Sequence, residues 1–205
     1  MQMTKRCIVT IGREYGSGGR EIGEKLAEKL GISFYDRQFL EIASLETGHS
    51  EDLLSEQDEI AEKNFYPYRT ENLSEELFRI QSRIMIEKAK TESCVIVGRC
   101  ADYALANHPN CLNIFVRAEM DDRIKLISKR MDVTENKAKD MIIKNDKQRA
   151  SYYNYYTSKK WGDASSYDLV INTSKISVDH AVDLILDFRK YMDLRSGTGI
   201  VFNNK

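Results

Sequence analysis

A β-branched run, a bend of glycines and an amphipathic repeat follow one another at the start of this 205-residue chain. That succession limits the folds open to it. Cys7-Ile8-Val9-Thr10-Ile11 is strand-like, and Gly16-Ser17-Gly18-Gly19 comes shortly after. From about Glu21 to Leu30, Ile22, Leu26 and Leu30 recur at helical spacing, with Gly31 as the stop. Strand, glycine bend and helix in this order open an α/β fold. Three more apolar runs, Cys94–Val97, Leu112–Val116 and Asp168–Asn172, have the composition of strands buried on both faces. Ile32–Tyr35 reads as a shorter extended piece. Helices are predicted over residues 38–46 and 51–62. Another is capped by Asn72 with Glu75, carries Leu73, Leu77, Ile80 and Ile84 on one stripe, and ends near Lys90. A helix with Ile124, Ile127 and Met131 precedes a long polar one running to about Tyr153, and Val178, Val182 and Ile185 mark the last. Strands alternating with helices imply a parallel sheet covered on both faces. No repeat or low-complexity linker divides the chain, so a single domain over residues 1–205 is expected.

The glycine bend carries the clearest chemistry. A phosphate needs close backbone approach and several N–H donors, and glycines at the start of a helix supply both, with the positive end of the helix dipole. The usual phosphate-binding pattern, G-x-x-x-x-G-K-[S/T], is not met. In one register Gly19 stands for the lysine and Arg20 for the hydroxyl residue. In the other, Arg20 stands for the lysine and Glu21 for the hydroxyl residue. Arg20 is the first candidate for the missing positive charge, and Arg13 is a second.

Composition removes several alternatives. With 31 Lys+Arg against 32 Asp+Glu the net charge is -1, so no general electrostatic grip on nucleic acid or an anionic membrane is expected. No apolar run is long enough to span a bilayer, and MQMTKR leads into a strand without the features of a signal peptide. The four cysteines form no C-x-x-C pair and read as buried, reduced thiols of a cytoplasmic protein, while the three histidines are scattered singly. In SYYNYYTSKKW (151–161), tyrosines interleaved with lysines could stack single-stranded bases, but packing of a helix against the sheet or a neighbour explains them better.

ITIGREYGSGGREIGEKLAEKLGISFYDRQFL resembles the opening of the cytidylate kinase-like family, a branch of the nucleoside monophosphate kinases whose phosphate loop lacks the usual lysine. The likeness continues through VIVGRCADYAL, FVRAEMDDRIKLISKR and NDKQRASYYNYYTSKKWGDASSYDLVINTS. It implies a P-loop kinase-type three-layer α/β sandwich with a mobile helical lid, a monophosphate-binding region near residues 36–92 and a lid near 119–165. ATP with Mg²⁺ would be the donor and a small-molecule nucleotide such as CMP the acceptor. Gly16, Ser17, Gly18, Gly19 and Arg20 would cradle the triphosphate. Asp36 and Arg37 would lie in the monophosphate-binding turn, and Arg99 would hold the acceptor phosphate. Arg123 and Arg130 would lie at the start of the lid, with Asp146 and Arg149 as its Asp-x-x-Arg element. Phosphoryl transfer independently asks for several cationic groups converging on one cleft, because charge spreads over the oxygens of the moving group.

The chain also departs from that pattern. Val97 stands where such kinases end a strand in aspartate, and Asp102 is the nearest acid beyond it. Ile142 stands where an arginine would precede Asp146. Three functions follow in order: a nucleoside monophosphate kinase, a nucleotide-binding regulatory module that has lost catalysis, and a kinase for another small phosphate acceptor.

Overall fold

The computed structural model describes residues 6–36, 38–47 and 71–198. Arg37 and the helix expected over 51–62 lie outside them. Five strands form one parallel sheet: β1 (Ile8–Arg13), β2 (Ser33–Tyr35), β3 (Cys94–Val97), β4 (Cys111–Arg117) and β5 (Leu169–Asn172), in the order β2-β3-β1-β4-β5. The helices are α1 (Gly19–Leu30), α2 (Gln38–Thr47), α3 (Glu71–Thr91), the single turn α4 (Ala101–Ala104), α5 (Met120–Met131), α6 (Glu135–Thr157) and α7 (Val178–Thr198).

The four apolar runs become strands where expected, and the short piece at 33–35 joins them as a fifth, pairing Ser33, Phe34 and Tyr35 with Cys94, Val95 and Ile96. Asn72 is not a cap: α3 already includes Glu71, so the helix reaches past the expected start. Alternation along the strands explains the two apolar layers. Val9 and Ile11 point to one face with Val95, Val97, Ile114 and Val116, where Ile22 and Leu26 of α1 and Ala181, Val182 and Ile185 of α7 cover them. Ile8 and Ile96 point to the other, beneath Phe39 of α2 and Leu77, Ile84 and Met85 of α3. Each such buried aliphatic side chain contributes about 1.5–3 kcal/mol relative to exposure.

Helix α1 stops where the sequence says. Gly31 takes a left-handed φ of 62° and its N–H bonds to the carbonyls of Ala27 and Glu28. Inside α1, Gly23 lets the helix lie close on the sheet, since a Cβ there would stand 2.8 Å from Val97. The sheet therefore presents the carboxyl ends of β1 and β3 side by side, and α5 and α6 pack together beyond them around Ile127, Ala138 and Ile142. That end of a parallel sheet, where neighbouring strands send their chains onward, is where α/β folds form ligand crevices.

Candidate active site

A cleft of about 810 Å³ opens over these strand ends. Its walls include the glycine loop, Asp36 after β2, the turn Gly98–Asp102 after β3, Arg130 of α5, Arg149 of α6, and the aromatic residues Tyr152, Tyr153, Trp161 and Tyr167.

The loop between β1 and α1 is held by side chains from elsewhere. The N–H of Tyr15 donates to an Asp146 carboxylate oxygen at 2.7 Å, and the hydroxyl of Thr173 donates to the carbonyl of Ser17 at 2.8 Å. The Glu14 carboxylate accepts the N–H of Ala118, and the Ser17 hydroxyl donates back to the Glu14 carbonyl. Gly16 and Gly18 take φ of 81° and 79°, which a side chain would strain. The first intrahelical bond runs from the N–H of Ile22 to the carbonyl of Gly18, so the amides of Gly19, Arg20 and Glu21 precede it and face outward from the helix start. Gly18 caps the helix without a side-chain hydrogen bond. A positive helix end with uncapped donors is suited to an anion.

The turn after β3 is built differently. Gly98, Arg99 and Cys100 follow one another at φ 84°, 58° and 55°. Two of these are not glycine, so the turn stores local strain. It presents Arg99 and Asp102 to the cleft, opposite the glycine loop. Burial raises the Asp102 carboxyl above the ordinary carboxylate range, although the hydroxyl of Tyr153, donating at 2.7 Å, pulls the other way. Tyr153 is itself held protonated by burial and by that carboxylate.

The expected site residues divide into two groups. Gly16, Gly18, Gly19, Arg20, Asp36, Arg99, Asp102, Arg130 and Arg149 line one cleft. Ser17, Arg123 and Asp146 stand behind it. Arg123 is 5% exposed, and its guanidinium pairs with Asp146 and lies 3.7 Å from Glu14. It also donates to the Tyr15 carbonyl. The two charged residues form a brace between α5, α6 and the loop. Arg20 turns toward β2: its Nε lies 2.9 Å from Asp36 and a terminal nitrogen 2.7 Å from Glu24, with the guanidinium over the Phe34 ring. Arg149 donates to the Arg13 carbonyl at 3.0 Å and lies over Tyr15.

Residues 8–175 match the cytidylate kinase-like family. The chain belongs to that family. A cytidylate kinase of Methanocaldococcus jannaschii is 30% identical over 183 residues, 87% of this chain and 94% of the relative. One of Pyrococcus horikoshii is 31% identical over 84% of this chain and 82% of its own. Among solved structures, an uncharacterized protein from Eubacterium ventriosum superimposes with a TM-score of 0.70 at 34% identity, over 90% of this chain and 99% of that one. Shikimate kinase from Bacteroides thetaiotaomicron, at TM-score 0.55 and 14% identity over 90% and 98%, shares the fold, which is that of a P-loop kinase.

Within this cytidylate kinase-like chain, several residues acquire roles that their local sequence did not signal. Thr173 ties β5 to the loop, and Ser177 caps the start of α7 by accepting the N–H of His180. Tyr152 and Tyr153 are buried with Cys100, beside Phe78, Tyr156 and Trp161, which bears out packing as the purpose of the tyrosine-rich segment. Of these, Tyr152, Tyr153 and Trp161 also line the cleft. Cys7, Cys94, Cys100 and Cys111 form no disulfide among the described residues, and burial pushes Cys94 and Cys111 up to about 12. Among the described residues no helix is long and apolar enough to cross a membrane.

Proposed function

We propose that this protein transfers the γ-phosphoryl group of ATP to a nucleoside monophosphate, with CMP the first acceptor to try. The observation that supports it most is the shared cleft. An anion-binding loop on one side faces Arg99 and an aromatic wall on the other, and Arg20, Arg130 and Arg149 approach from three further positions in the chain. Family membership and the cytidylate kinase relatives point the same way.

In this reading the loop amides of Gly16–Arg20 hold the donor phosphates. Arg99 and the turn that carries it hold the acceptor phosphate. Arg130 and Arg149, on the two helices of the lid region, neutralise charge as the phosphoryl group moves. Arg123 and Asp146 act one step back, by fixing the loop to those helices. Asp36 orients Arg20. Bases have flat apolar faces, and Tyr152, Tyr153, Trp161 and Tyr167 give the acceptor side rings to receive one. Magnesium enters on the triphosphate as part of the substrate. It would keep much of its water shell and take few protein ligands; Asp36 and Asp102 are carboxylates along the cleft, and among the described residues no group of three or more His, Cys, Asp or Glu side chains is arranged to hold a metal. Ser17 is 2% exposed with its hydroxyl turned to Glu14, so it is not the hydroxyl ligand of an ordinary phosphate loop.

A second reading is a nucleotide-binding module without turnover, favoured by Val97 at the strand end and by the absence of a lysine at residue 19. Purified protein, ATP, Mg²⁺ and a panel of monophosphates distinguish the two. ADP release that depends on the acceptor, fastest with a pyrimidine monophosphate, is expected. ATP binding without acceptor-dependent ADP from any monophosphate would leave the second reading standing.

A further inference from the structure

We infer that Arg13, at the end of β1, supplies the phosphate-binding cation that other phosphate loops carry as a lysine at the start of the helix. The inference rests on the loop being a triphosphate site, and it specifies how that site manages without its lysine.

The two positions have exchanged their contents. With Gly16, Ser17 and Gly18 in register with the G-x-x-x-x-G-K pattern, the opening glycine falls on Arg13 and the lysine on Gly19. In the folded chain these two residues meet. A Cβ on Gly19 would stand 2.6 Å from the Cβ of Arg13 and 3.2 Å from its Cγ. The arginine stem thus fills the space into which a side chain at residue 19 would begin to grow. A lysine at 19 and an arginine at 13 exclude each other, and this chain has kept the arginine.

The head of Arg13 reaches across the cleft. A Cβ on Gly98 would lie 1.9 Å from one terminal nitrogen of Arg13 and 2.9 Å from its Cζ, so Gly98 leaves the room through which the guanidinium passes. The other terminal nitrogen lies 3.5 Å from Asp36. Arg13 therefore spans from the donor loop to the turn that bears Arg99, over the region where a phosphoryl group would cross. Its side chain is 19% exposed, against 49% for Arg20. Partial burial strengthens its field at that point and reduces competition from water. Its planar fork also suits two phosphate oxygens at once. Arg20, the first candidate on sequence, is turned to Asp36 and Glu24 at the outer edge of the cleft. The carboxylate of Asp36 holds both guanidiniums, so it sets where Arg13 waits.

The test measures binding of MgATP and of inorganic tripolyphosphate to the full chain, with thermal unfolding recorded for each variant. Arg13→Gln is expected to weaken both ligands by about 10- to 100-fold, as for one lost charge-assisted contact. Arg20→Ala is expected to weaken them several-fold less. Arg13→Gly combined with Gly19→Lys restores the ordinary arrangement and should recover most of the loss. Arg13→Lys should bind better than Arg13→Gln, a comparison that holds even if the double variant does not fold. Affinity of Arg13→Gln equal to the parent, or a folded double variant no better than Arg13→Gln, overturns the assignment. If the parent binds tripolyphosphate but no nucleotide, the kinase reading fails while Arg13 is still decided by the same variants. If it binds neither, both fall.

Discussion

Two neighbouring strands end in two strand-to-helix turns, and they reach stability by opposite means. The turn after β1 uses glycine where φ is positive, and side chains from distant segments anchor it, namely Asp146, Arg123 and Thr173. The turn after β3 closes on main-chain bonds, from the Gly98 N–H to the Ile11 carbonyl and from the Ala101 N–H to the Gly98 carbonyl. It nevertheless places Arg99 and Cys100 in the left-handed region. The first turn offers backbone to a ligand, so bulk is excluded and rigidity must come from outside. The second offers side chains, so it accepts strain in order to aim them.

The largest effect that would break this contrast is removal of the outside brace. Asp146→Ala leaves the Arg123 guanidinium buried without its closest partner and frees the Tyr15 amide. A loss of about 3–5 kcal/mol is expected, as for a broken buried ion pair. A denaturant midpoint within experimental error of the parent would show that the loop stands unaided.

A smaller effect comes from making the second turn resemble the first. Arg99→Gly removes a left-handed side chain whose conformation costs about 1 kcal/mol, so the unfolding midpoint should not fall and the acceptor KM should rise at least about tenfold, equivalent to 1.4 kcal/mol. A midpoint well below the parent's, with an unchanged acceptor KM, would make Arg99 a structural residue.

The smallest effect is on pH dependence. The folded Asp102 carboxyl is raised above its unfolded value, so the folded state holds its proton longer than the unfolded state. Its contribution is therefore most favourable below the ordinary carboxylate pKa and is lost as pH rises from there through the raised folded value. Asp102→Asn should remove this slope, so its Tm should gain on the parent's across that window. Parallel Tm curves from pH 3.5 to about 7 would place Asp102 in ordinary solvent contact.

The difference between the turns also marks what could be read in advance. Glycine at positive φ, β-branched runs and the Gly31 stop are local signals, and each was legible. β2, of three residues, is too short to show a period and was legible only as an extended piece, and Asn72 carries the chemistry of a cap inside a helix that extends past it. Arg123 and Asp146 look like cleft residues in a charged helix, because sequence spacing does not say which side of a helix is buried between two elements. The aromatic wall was legible as packing and not as a wall.

The sequence by itself determined the parallel α/β architecture and the family, because these depend on hydrophobic periodicity, on conformational needs that each residue meets alone, and on contiguous motifs. It also placed a phosphate-suited bend at the first strand end. Only the tertiary structure decided which arginines face that bend and which brace it, and that Arg13 occupies the room of a side chain at residue 19. Such contacts are set by how the loop closes and where α5 and α6 lie, and residues far apart in the chain become electrostatic neighbours only once the core has fixed those positions.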